Sequence, residues 1–128
     1  MIEDQQKKVY LAGKMRGLPK FNFPAFMSAA TKLRAKGYFV FNPAERDNER
    51  HGTDISKFSR TGNEKTLVKN FGFDLRVALH DDLSFICREA DAIAMIPGWE
   101  DSKGANAELA TAKALGLEII YLDESYVN

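Results

Sequence analysis

Val9-Tyr10-Leu11-Ala12-Gly13 sets four apolar residues in a row against a glycine. A short run without polar alternation, ended by a turn residue, reads as a strand buried on both faces. Such strands belong to parallel sheets covered by helices on each side. The flanking sequence agrees. Pro24 to Lys36 reads as a helix, because Phe26, Ala29, Ala30 and Leu33 recur at helical spacing. Pro24 suits the first helical position, and Asn22 before it can help satisfy free amides. Lys32, Arg34 and Lys36 suit the negative end of the dipole, and Gly37 stops the helix. Tyr38-Phe39-Val40-Phe41 is a second strand, closed by Asn42-Pro43.

Further along, Phe73 to Glu89 reads as a second long helix with Leu75, Leu79, Leu83 and Ile86 as its apolar stripe. Asp91 to Ile96 is a third strand, Ser102 to Leu115 a third helix closed by Gly116, and Leu117 to Leu122 a fourth strand. The order is strand and helix in alternation. It predicts an α/β, Rossmann-like (flavodoxin-like) three-layer sandwich with a mostly parallel sheet of four or five strands. A single domain over residues 1–128 is expected. The polar stretch 44–69 has few apolar anchors (Ile55, Phe58, Leu67, Val68) and reads as a surface insertion or a lid.

Composition narrows the function classes. Lys plus Arg and Asp plus Glu are 18 each among 128 residues, so the formal charge is zero. A general nucleic-acid binder carries a basic surplus, so none is expected as partner. One cysteine, Cys87, excludes an internal disulfide framework and a thiolate zinc site, and His51 and His80 make no ligand pattern. No metal is expected. Residues 1–8 lack the apolar run of a signal peptide, and no stretch reaches the ~20 apolar residues of a membrane helix. A cytoplasmic protein without a membrane partner is the expectation.

In open α/β sheets ligands bind beyond the carboxyl ends of the strands, where the strand order reverses. Two segments leave such ends: Gly13-Lys14-Met15-Arg16-Gly17, and Pro97-Gly98-Trp99-Glu100-Asp101-Ser102-Lys103-Gly104-Ala105. Neither is a P-loop or a dinucleotide fingerprint. Both carry parts of an anion site: glycines that admit backbone amides, the charges of Lys14 and Arg16, and a helix start at Ser102. Trp99 could stack on a base or cover the edge of the core.

Three residues stand out as reactive candidates. Glu108 has only small neutral helical neighbours, Gly104, Ala105, Thr111 and Ala112, and lies at the edge of the stripe marked by Ala105, Leu109 and Ala112. Asp81 and Asp82 separate by angle. With Leu79 as stripe centre and about 100° per residue, Asp82 falls at the stripe boundary and Asp81 on the solvated side. Tyr10 lies in the buried strand, where its hydroxyl needs a partner.

Together these pieces resemble the nucleoside 2-deoxyribosyltransferase-like superfamily, and within it a bacterial and phage group called DUF4406. The resemblance rests on residues 9–17, Asn42-Pro43-Ala44-Glu45, Asp82-Leu83, Ala90-Asp91-Ala92-Ile93 and, most specifically, the block from Gly98 to Glu108. It implies that Glu108 is a nucleophile attacking the sugar C1′, that Tyr10 orients it, and that Asp82 assists departure of the base. It also sets Ser102 where related 5′-monophosphate N-glycosidases have a serine and base-exchanging transferases an aspartate. An aspartate repels a phosphate, whereas a serine can donate a hydrogen bond to it. The resemblance therefore implies a small-molecule nucleotide or nucleoside substrate, contacts from Gly13, Lys14, Arg16, Gly98, Trp99, Ser102 and Gly104, no cofactor, and a homo-oligomer.

Overall fold

The computed structural model describes residues 6–46 and 75–128. Four strands and three long helices alternate in it. They are β1 (Lys8–Ala12), α1 (Phe23–Ala35), β2 (Phe39–Phe41), α2 (Leu75–Arg88), β3 (Ala92–Met95), α3 (Lys103–Ala114) and β4 (Glu118–Tyr121). The sheet order is β2-β1-β3-β4, and every pairing is parallel. This is a Rossmann-like three-layer sandwich, with the first four positions of the flavodoxin-like order. The described residues contain no fifth strand.

Strand alternation divides the core in two. Val9 and Leu11 of β1, with Ala92 and Ala94 of β3, face α1 and meet Phe23, Phe26, Ala29, Ala30 and Leu33. Tyr10 and Ala12, with Ile93 and Met95, face the other way onto α2 and α3, where Phe85, Ile86, Ala105, Leu109 and Ala112 complete a second cluster. The small residues of β3 and the paired alanines of α1 belong to the same buried cluster.

The helix boundaries follow local chemistry. Gly37, at φ 98°, ends α1 with its amide on the Arg34 carbonyl at 3.0 Å. Ser102 caps α3: its Oγ accepts from the Ala105 amide at 3.1 Å. Asn22 departs from expectation. It precedes α1 but makes no side-chain cap; its Nδ2 donates instead to the Lys14 carbonyl at 3.0 Å.

Two other expectations change. The segment expected to be loop from residue 44 begins as helix over residues 43–46, capped by Asn42, whose Oδ1 accepts from the Ala44 amide at 3.0 Å. Its insertion or lid character over 47–69 lies outside the described residues. The buried face of α2 is Ala78, Asp82, Phe85 and Ile86, while Leu79 and Leu83 are only half-buried. The helix is thus rotated from the leucine stripe. Phe85 draws it round by stacking on Phe41 of β2, with ring centroids 4.5 Å apart.

A buried carboxylate pair as candidate active site

β1 leads to β2 on one side of the sheet and β3 lies on the other, so the strand order reverses between β1 and β3. The loops leaving these two strands diverge there, the position at which open α/β sheets bind ligands. They begin in contact. The Ile96 amide donates to the Ala12 carbonyl at 2.8 Å, and a Cβ on Gly13 would lie 2.9 Å from the Ile96 Cβ and 3.2 Å from the Phe26 ring. Gly13 is glycine because the two strand ends approach too closely for a side chain.

Beneath this junction, on the face of α2 and α3, the sheet and both helices each supply one polar group. Tyr10 is fully buried, Glu108 is 6% exposed and Asp82 is 9% exposed. The Tyr10 hydroxyl donates to Glu108 Oε2 at 2.8 Å. Burial raises the Tyr10 pKa well above its usual value, and the charges of Glu108 and Asp82 and hydrogen bonding to both add to the rise. Tyr10 therefore stays protonated and acts as donor to Glu108.

Glu108 is a strongly perturbed acid. Burial pushes its carboxyl from 4.5 up to about 8, the charge of Asp82 adds to the rise, and the Tyr10 bond opposes it. Two carboxylates in one dry site resist being charged together, so Glu108 keeps its proton near neutral pH beside the charge of Asp82. One ionised and one protonated carboxyl is the charge state needed by a nucleophile paired with an acid.

Both acids are deeper than their sequence positions suggested. Asp82 sits within the buried face of α2 rather than at its boundary, while Asp81 beside it is half-buried, with Oδ1 3.9 Å from His80 Nδ1. Glu108 belongs to the buried set of α3 with Ala105, Leu109 and Ala112.

The remaining candidates surround this centre unevenly. Gly104 precedes Glu108 by one helical turn, and a Cβ there would meet nothing nearer than the Ser102 Oγ at 3.9 Å. Open space therefore flanks the α3 surface above Glu108. Ser102 is half-buried and is engaged by its capping bond, with its hydroxyl proton still available for donation. Gly98 is exposed and takes φ 95°, which a glycine adopts without strain. Trp99 packs against the α2–α3 core with its ring centroid 6.0 Å from that of Tyr121, and so covers the edge of the core.

Lys14 is half-buried and Arg16 is exposed. Their loop is anchored toward α1, since Met15 packs on that core and Asn22 holds the Lys14 carbonyl. The fold thus joins Tyr10, Asp82 and Glu108 directly, and places the basic loop at the mouth of the same junction rather than against the acids.

Phe41 was not singled out by sequence reasoning. Its ring stacks on Tyr10 at 5.5 Å and helps hold the phenol in place. The recurrence of Phe39 and Phe41 on one side of β2 was the available signal. A cavity of about 450 Å³ also runs along β2, past Arg34, Phe39, Asn42 and Glu45. Arg34 closes on Glu45 there through two hydrogen bonds of 2.7 Å, so its main charges are mutually satisfied. It is a weaker candidate than the strained pair of acids.

Among the described residues no cluster of His, Cys, Asp and Glu could hold a metal ion, and no helix is long and apolar enough to cross a membrane. No curated protein matches the sequence. A family model described as Domain of unknown function (DUF4406) matches residues 7–121.

Proposed function

The chain belongs to the DUF4406 family, and from its buried carboxylate pair we propose that it is an N-glycosidase of nucleoside or 2′-deoxynucleoside 5′-monophosphates. The observation that carries this reading is the Tyr10–Glu108 hydrogen bond of 2.8 Å, with Asp82 beside it, under the strand-order reversal. The likeness of the motifs to the nucleoside 2-deoxyribosyltransferase-like superfamily supplies the sugar C1′ as electrophile.

In this mechanism the proton held by Glu108 moves to Asp82 and leaves Glu108 ionised. A Glu108 oxygen attacks C1′, and the bond from C1′ to the base nitrogen breaks with its electron pair leaving on the base. Asp82 delivers its proton to that base. Tyr10 holds the Glu108 carboxylate through the oxygen that does not attack. Water then gives a proton to the Asp82 carboxylate and bonds to C1′ as the C1′–O bond to Glu108 breaks, which returns both acids and releases the sugar phosphate. The phosphate, met by the loop of Lys14 and Arg16 and by the first turn of α3 at Ser102, contributes remote binding energy that sets C1′ on the nucleophile.

Purified protein incubated with ribo- and deoxyribonucleoside 5′-monophosphates, and with the matching nucleosides, tests this by release of free base. We expect release from at least one monophosphate, with loss of at least a thousandfold in Glu108→Gln, on the order of what removing a covalent nucleophile costs. Absence of release from every monophosphate overturns the reading. Base exchange that needs an added acceptor base and ignores the 5′-phosphate would identify a transferase instead. Tight nucleotide binding without turnover, unchanged in Glu108→Gln, would identify a binding module.

A further inference from the structure

Three consecutive non-glycine residues, Lys20, Phe21 and Asn22, have φ of 54°, 54° and 60°. A left-handed backbone costs roughly 1–2 kcal/mol per residue for side chains other than glycine, and persists only where the surroundings impose it. Here two contacts impose it. Phe21 is buried at 4% exposure in the α1-side core, and its amide donates to the Leu18 carbonyl at 2.9 Å. Asn22 Nδ2 donates to the Lys14 carbonyl at 3.0 Å. An asparagine preceding a helix ordinarily turns its side chain onto the first free amides. Asn22 gives up that capping bond, and what its side chain holds instead is the loop that leaves β1.

That loop is pinned where it leaves β1. At Gly13 it presses against Ile96, with no room for a Cβ, and at Lys14 it is held by Asn22. Just beyond them the Leu18 amide closes a turn on the Met15 carbonyl at 3.3 Å. We propose that Asn22 is a positioning residue: through the Lys14 carbonyl it fixes the Gly13–Gly17 loop in the conformation that meets the 5′-phosphate of the substrate. The inference rests on the glycosidase reading for the identity of the ligand, but the holding of the loop does not depend on it.

The test compares wild type with Asn22→Gly, which adopts positive φ freely and lacks the donor, and Asn22→Asp, which keeps the shape and replaces the donor with an acceptor. Both are expected to fold, and the melting temperature of Asn22→Gly should be no lower than about that of wild type. With a hydrolysed monophosphate, KM should rise about five- to tenfold in both variants while kcat stays within about twofold, the scale of one hydrogen bond. KM for the nucleoside without phosphate should not change. A purely structural role would move both substrates together, and that result, or an unchanged KM for the monophosphate, overturns the proposal. Hydrogen exchange at the Leu18 amide decides the holding of the loop independently. Faster exchange in both variants supports it, and unchanged exchange overturns it. If wild type hydrolyses no nucleotide, the glycosidase reading and the phosphate role fall together, while this exchange still shows whether Asn22 holds the loop.

Discussion

Tyr10 of β1 gives the buried Glu108 carboxyl its donor, and the charge of Asp82 acts on both groups. A phenol inside a dry core needs an acceptor, and a buried carboxylate needs a donor. The 2.8 Å bond satisfies both. At Gly13 the constraint is steric. A methyl at 2.9 Å from the branched Cβ of Ile96 meets a carbon fixed to the β3 end, which cannot swing aside. Gly13→Ala is therefore expected to lower unfolding free energy by about 1–3 kcal/mol in denaturant titration. A substitution without cost would mean that the strand ends part easily. Gly13 is legible as a turn residue ending a strand; its packing role is not, because Ile96 is 83 positions away in sequence and only the parallel register brings it close.

The elements show why the depth of the acids was hard to read. On α2 the four expected anchors are leucines and one isoleucine, and hydropathy favours that stripe. Packing instead turns Ala78, Asp82, Phe85 and Ile86 inward, since Phe85 finds Phe41 and Asp82 finds the polar centre. A local pattern ranks side chains by water avoidance and does not see a partner on another element. The α3 start was readable, because Ser102 before a helical run is a local signal. It also allows two roles to be separated. Ser102→Ala should cost about 0.5–2 kcal/mol of stability through loss of the cap. Ser102→Asp caps as well as serine, so its melting temperature should match wild type. Under the proposed function it should nonetheless lose activity toward monophosphates, because it sets a carboxylate against the phosphate. Full monophosphate activity in a stable Ser102→Asp protein would remove Ser102 from the phosphate site.

For the molecule as a whole, the carboxylate pair costs stability as pH rises. The unfolded chain ionises Glu108 above about 4.5, whereas the fold keeps it protonated up to about 8. Between those values the folded state binds the extra proton, so this group lowers stability with increasing pH, by at most about 1.4 kcal/mol per unit. Glu108→Gln keeps an acceptor for Tyr10 and carries no charge. Its melting temperature is expected to exceed that of wild type by several degrees at pH 8, and the gain should shrink toward pH 5. A gain independent of pH would mean that Glu108 is not held protonated by the fold.

The sequence by itself determined the alternation of strand and helix, the two loops at strand ends, the cap at Ser102 and the set Tyr10, Asp82 and Glu108. The alternation, the loops and the cap are written in spacing and turn chemistry within a few neighbouring residues, and the set of three in motifs that resemble those of a known superfamily. Only the tertiary structure decided the all-parallel order β2-β1-β3-β4, the rotation of α2, the closeness of Gly13 to Ile96 and the diversion of Asn22 from helix cap to loop clamp. These depend on side chains far apart in the chain competing for the same buried space, and that competition is settled by packing and desolvation rather than by local preference.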